Sequence, residues 1–180
     1  MAEDRLIADE KFLRLKERRG WQFVERPHIT GIIAVIPVTN DGKLVLVEQY
    51  RIPVEANVIE LPAGLVGDDG DPDEDLVTAA KRELHEETGY EADYWERAYE
   101  GPPSPGLSNE IVTFFYAENL RKTGLGGGVG NEGITVHEIP LADVPDWIAL
   151  RVEQGAMVDP KLFGGLWYSQ RIANFPPSGP

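Results

Sequence analysis

The sequence predicts an α+β fold, and three observations carry that expectation. Short Val- and Ile-rich runs recur along the 180-residue chain, and helix-period patterns occupy three separate places. The two do not alternate as regular βαβ units, as a doubly wound sheet would require. Hydrophobic residues make up 42% of the chain, enough for one packed domain.

The elements follow in order. Residues 11–27 read as two short strands joined by a turn near Gly20, because Leu13 and Leu15, then Trp21 and Phe23, recur at period two. Residues 30–52 read as a hairpin, two β-branched runs flanking the turn signal Asn40-Asp41-Gly42. Residues 57–64 form another short strand, ended by Pro62 and Gly64, and a polar loop occupies 65–73. Residues 74–88 are the clearest helix, with Leu76, Val77, Ala80 and Leu84 as its apolar stripe, Asp73 as cap and Gly89 as stop.

Strands are expected around Tyr94–Tyr99 and Ile111–Ala117, separated by a proline-rich loop. A glycine-rich loop spans 121–133, and 134–141 alternate as a strand. Asp143 and Pro145 start a helix that stops at Gly155, and Asp159 and Pro160 start another through about Asn174. The resulting domain plan is an N-terminal β extension over 1–28, a main domain over 29–175 and a disordered tail over 176–180.

The formal net charge of −14 argues against polymeric nucleic acid and anionic membrane as partners. A small anionic ligand would need a divalent cation or well-placed Arg and Lys. Absence of cysteine excludes disulfides, thiol catalysis and thiolate zinc sites. The N-terminus is acidic and lacks an apolar signal core, and no apolar run reaches the ~20 residues of a membrane span, so the expected location is the cytoplasm.

The segment Arg82–Gly89 concentrates the chemistry. Glu83, Glu86 and Glu87 stand at i, i+3 and i+4 and therefore share one helix face. Like charges at this spacing destabilise a helix by ~0.2–0.5 kcal/mol per pair. They also lie near the C-terminal end, where the dipole disfavours anions. Local stability does not account for the cluster, whereas a hard cation with oxygen ligands does. His28, His85 and His137 are isolated, so zinc fits poorly. The match Gly128-x-Gly130-x-x-Gly133 leads into a strand instead of opening a helix and is not a dinucleotide fingerprint.

Arg82-Glu83-Leu84-His85-Glu86-Glu87-Thr88-Gly89-Tyr90 resembles the core of the Nudix box, REUxEExGU with U a bulky apolar residue, and Glu74 stands where the family has its upstream glutamate. One position departs: Asp68 stands where the family has its first glycine, and the 65–73 loop reads as lengthened by about four residues. Three further stretches resemble the ADP-ribose pyrophosphatases and nucleoside diphosphate sugar hydrolases of that family. They are Glu48-Gln49-Tyr50-Arg51, Ile59-Glu60-Leu61-Pro62-Ala63-Gly64 and the Ser104-Pro105-Gly106 loop, whose proline lies sixteen residues after Gly89.

The resemblance implies a Nudix fold, an α/β/α sandwich around a mixed β-sheet, with the N-terminal β extension helping to form a homodimer. It implies Mg2+-dependent hydrolysis, Mn2+ being a possible substitute, of the diphosphate of ADP-ribose or a related nucleotide sugar. Alternatives are a broad-range or GDP-mannose-preferring hydrolase, and a non-catalytic ADP-ribose sensor. By the same resemblance Glu83 and Glu87 ligate metal, and Glu86 and the Ala63 carbonyl complete the set. Glu132 is the general base, with Glu86 as the alternative, and Arg51 contacts phosphate. Trp21 and Phe12 stack on the base, with Arg26 and Ser108 lining that pocket. Arg82 is expected to be structural, pairing with Glu86 at i+4.

Overall fold

The computed structural model describes residues 4–67, 70, 71, 73–130 and 132–174. The 176–180 tail, Asp68 in the lengthened loop and Asn131 beside Glu132 lie outside the described residues.

The N-terminal extension is a three-stranded antiparallel sheet of β1 (Arg5–Asp9), β2 (Arg14–Arg18) and β3 (Trp21–Glu25). β2 and β3 match the expectation, and Arg19 and Gly20, both at positive φ, make their turn. β1 is additional. Its apolar run is short, and the register breaks between Leu6 and Ala8, which conceals a period of two.

β4 (Gly31–Pro37) and β5 (Lys43–Arg51) meet only at the bridge Val38–Leu44 above the expected turn, where Gly42 takes φ 78°. The expected hairpin is therefore corrected, because the two strands part into different sheets. β4 pairs antiparallel with β7 (Ala63–Val66) and parallel with β9 (Val112–Lys122), and β8 (Tyr90–Gly101) closes that sheet against β9. β5 pairs antiparallel with β6 (Ala56–Glu60) and β10 (Thr135–Pro140), and the short β11 (Met157–Val158) runs parallel to β6. The single strand expected over 57–64 is thus two, broken at Leu61-Pro62. Proline cannot donate to a ladder, and Ala63 then restarts pairing with a different partner.

Helices cover both faces. Ile33, Val35, Val45, Phe115 and Ala117 pack toward α1 (Leu76–Thr88), against Ala79, Ala80 and Leu84. The alternate residues Ala34, Ile36, Leu44, Leu46, Phe114 and Tyr116 pack toward α2 (Val144–Glu153) and α3 (Lys161–Asn174). Strands buried on both faces read as continuous apolar runs, as 33–36 and 44–47 do. The layering is the expected α/β/α arrangement with mixed pairing.

Glu48 is the one buried charge on the α2 face of β5 that the core must satisfy among the described residues. It accepts from Arg151 of α2 at 2.7 Å and lies 2.8 Å from His137 of β10. Burial alone would raise its carboxyl, but the hydrogen bonds with Arg151 and His137 outweigh that and hold it below the usual carboxylate range. The ion pair fastens α2 to the back of β5, whose front face carries Gln49 and Arg51.

Candidate active site

α1 begins at Leu76 because Asp75 caps it, its Oδ1 accepting from the N–H groups of Val77 and Thr78 at 3.0 Å each. The expected cap, Asp73, lies two residues too early. Gly89 ends the helix in the left-handed region at φ 72°, its N–H donating to His85. Glu83 and Glu87 are buried at 8% and 7% exposure, and Glu86 is half-buried.

A glycine is required at 64, where any Cβ would collide with the Glu83 carboxyl. The start of β7 therefore lies directly on this acidic face. Ala63 N–H donates to Glu87 Oε2 at 3.0 Å.

Arg82 was expected to pair with Glu86, and its principal partner is a different one. Its Nε and Nη2 donate to Glu74 at 3.0 and 3.2 Å, its Nη1 to Glu83 at 2.8 Å and its Nη2 to the Leu65 carbonyl at 3.1 Å. The anticipated Glu86 contact is the longest of these, at 3.4 Å. Glu74 in turn accepts the Gly67 N–H at 3.0 Å, which ties the lengthened loop to the helix.

Glu87 is the electrostatic focus. Burial pushes its carboxyl up to about 8, the charges of Glu83 and Glu132 add to the rise, and the Ala63 N–H and Arg51 oppose it. Carboxylates outnumber cations here. Arg51 on β5 gives its fork to Glu60 on β6, with Glu87 and Asp159 also near, and Lys161 is paired to Asp159. Glu132 accepts the Val129 N–H at 2.7 Å, and its backbone oxygen accepts from Gln49 at 3.3 Å.

Among the described residues no three Asp, Glu or His side chains converge as a ligand set. Glu83 and Glu86 face Arg82, and Glu132 faces its own loop. The donor chemistry nonetheless fits a hard divalent cation: buried carboxylate oxygens on a helix face with surplus negative charge.

The glycine-rich loop takes a role the sequence reading missed. Gly124 N–H donates to Gly89, Gly127 N–H to the Glu87 carbonyl at 2.8 Å and Gly128 N–H to the Glu86 carbonyl at 3.0 Å. The loop thus satisfies the open carbonyls at the end of α1.

The second expected group is built on β3 and the 104–110 loop. Trp21, 65% exposed, donates its indole N–H to Gly106 at 3.2 Å. Arg26 pairs with Glu110 at 2.7 Å, and Ser108 forms a bridge with Val24. These three are brought together where β3 meets the 104–110 loop. Phe12 lies apart, at the β1–β2 turn under Lys11. A cleft of about 440 Å³ between extension and body is lined by Arg14, Glu25, Arg26, His28, Asn109 and Glu110, among others, and does not include Trp21. Sequence reasoning also missed Glu60, Gln49 and the Glu74 contact. Strand alternation carries the signal for two of them, since Val47 opposes Glu60 and shares a face with Gln49 and Arg51.

A family model described as NUDIX domain matches residues 28–156. The "Methanol dehydrogenase activator" of Bacillus methanolicus is 40% identical over 119 residues, 66% of this chain and 62% of that protein. The "ADP-ribose pyrophosphatase" of Bacillus subtilis is 41% identical over 90 residues, 50% of this chain and 46% of that protein. The "GDP-mannose pyrophosphatase" of Yersinia pestis is 37% identical over 176 residues, covering 92% of this chain and 84% of that protein. The matches to the two Bacillus proteins therefore span less than two thirds of those proteins' length. A solved structure titled "Crystal structure of ADP compounds hydrolase" superimposes with a TM-score of 0.72 at 19% identity, covering 98% of this chain and 95% of that one, which establishes a common fold.

Proposed function

The chain belongs to the NUDIX family, and from that premise we propose that it hydrolyses the diphosphate of a nucleoside diphosphate sugar, ADP-ribose foremost. Water attacks one phosphorus, the bridging P–O bond breaks, and a nucleoside monophosphate and a sugar phosphate leave. For ADP-ribose these are AMP and ribose 5-phosphate. The observation that carries the reading is the buried pair Glu83 and Glu87 against Ala63 and Gly64, with Glu132 close enough to raise the Glu87 carboxyl.

Glu83 and Glu87 would hold a divalent ion, with Glu86 and the Ala63 carbonyl completing the set. When bound, magnesium, or manganese in its place, neutralises charge on the phosphate oxygens and activates water. Glu132 then accepts the proton of the attacking water, its carboxylate turning from the Val129 N–H toward the acidic face. Arg51 turns its fork from Glu60 to a phosphate oxygen. Trp21, with Arg26 and Ser108, receives the base, and Phe12 reaches that pocket from the second subunit of a homodimer. The domain limits of 1–28 and 29–175 and a cytoplasmic location belong to the same proposal. Among the described residues no helix is long and apolar enough to cross a membrane.

A second reading, a GDP-mannose-preferring or broad-range hydrolase, is favoured by one observation. The relative named for GDP-mannose matches 92% of this chain, against 50% and 76% for two relatives named ADP-ribose pyrophosphatase. A sensor without turnover is disfavoured because Glu83, Glu86 and Glu87 are all retained.

Initial rates with magnesium on ADP-ribose, ADP-glucose, GDP-mannose, UDP-glucose, a dinucleoside polyphosphate and a nucleoside triphosphate test this. The expected result is the highest kcat/KM on ADP-ribose, at least 100-fold lower in Glu87→Gln, about 2.7 kcal/mol of transition-state stabilisation. Preference for GDP-mannose selects the second reading. No turnover of any of them sinks both.

A further inference from the structure

The loop between β9 and β10 is held at two levels. Its base closes on itself, Ile134 N–H donating to Gly127 O at 3.2 Å, and sits on α1 through the Gly127 and Gly128 N–H groups. Higher up, Gln49 Nε2 donates to the backbone oxygen of Glu132 at 3.3 Å. Between these levels the Glu132 carboxylate folds inward to the Val129 N–H, filling the space that a side chain at Gly128 would need.

On this reading the carboxylate turns away from Val129 to reach the water, and the loop then loses an internal tie. The Gln49 bond is independent of it, because it holds the main chain and leaves the side chain free. Gln49 is also on rigid ground. It is half-buried on β5, whose neighbours β6 and β10 are both paired antiparallel to it. Two residues along, on the same face, is Arg51.

We propose that Gln49 is a positioning residue. It fixes the backbone of Glu132 as a pivot, at a set distance from Arg51 and Glu87, so that the carboxylate swings from Val129 to the attacking water without the loop shifting. The proposal rests on Glu132 as the general base. The side-chain amide is required because a carbonyl must be met by a donor.

Two measurements separate the parts. Gln49→Ala in the full chain is expected to lower kcat about 3- to 10-fold, the effect of one neutral hydrogen bond, with KM changed less than twofold. In a Glu132→Gln background the same substitution is expected to lower kcat no further, because the group it positions is already disabled. An equal drop in both backgrounds would assign Gln49 a general structural role and overturn the proposal.

The second measurement needs neither metal nor substrate: amide exchange at Val129 and Ile134, expected to quicken in Gln49→Ala. Unchanged exchange overturns the hold itself. An unchanged kcat in Glu132→Gln refutes the base assignment and with it the catalytic meaning of the pivot, while the exchange result still decides whether Gln49 holds the loop. Gln49→Glu, which sets an acceptor against the carbonyl, should behave as Gln49→Ala does.

Discussion

At the scale of single residues, Glu74 illustrates how a charge outside the acidic face governs it. The Arg82 guanidinium beside Glu74 holds its carboxyl below the usual range, and the Gly67 N–H assists. A carboxyl lowered on folding stabilises the native state above its ordinary value of about 4.5, and that contribution is lost as pH falls through the lower, folded value. Glu74→Gln is therefore expected to be less stable than the parent by about 1.5–3 kcal/mol at pH 6. The gap should close toward pH 3 when urea midpoints are followed. A gap independent of pH would mean that Glu74 acts through packing alone. The sequence made the acidic face legible because helix spacing and family motif coincide on Glu83, Glu86 and Glu87. It did not reveal that Arg82 reaches backward to Glu74, since that contact depends on the path of a loop that no periodicity describes.

At the scale of elements, the glycine-rich loop is a cap for α1. Gly126 takes φ 68°, and a Cβ there would press on the backbone of Thr88. Gly130 takes φ 65° but faces open space. Both alanine substitutions incur left-handed strain of ~1–2 kcal/mol, and only Gly126→Ala adds a collision with backbone. Thermal unfolding should show Gly126→Ala losing clearly more stability than Gly130→Ala. Equal losses would mean that the loop lifts off the helix at little cost. Runs of glycine read in a sequence as slack, and close approach between two backbones leaves no mark there. α1, β5 and α3 were legible from period and caps. β7 and β11 were not, because each is too short to establish a period and pairs with a strand distant in sequence, and β1 was not because its register breaks between Leu6 and Ala8.

For the whole molecule, the extension is the part whose surface is unlike the rest. β1 is exposed along its entire length, and Leu6, Phe12, Leu13 and Trp21 are 43–69% exposed on this small sheet. Exposed apolar side chains on a small sheet suit association with a second copy. Sedimentation velocity is expected to give twice the 20.0 kDa chain mass, and Phe12→Asp combined with Leu13→Asp to return a monomer. A parent chain that is monomeric at every concentration would remove the second subunit from the base pocket. The α+β class was foreseeable from the pattern of strands and helices, and the layered body from the family resemblance. The division of the β layer into two sheets was not, because the turn at Asn40–Gly42 is the signature of a hairpin whether or not the strands stay together beyond it.

β5 is a strand with two professions. One face of its pleat, through Glu48, grips α2, and the other, through Gln49 and Arg51, holds the backbone of Glu132 and the carboxylate of Glu60. Sliding it by a single residue against β6 and β10 would thrust Arg51 among the aliphatic side chains under α2 and Glu48 into a cleft already crowded with carboxylates. Neither exchange is tolerable, so the strand has no adjacent register in which to misfold productively. The arrangement that makes the site work is also what makes its alignment unambiguous during folding.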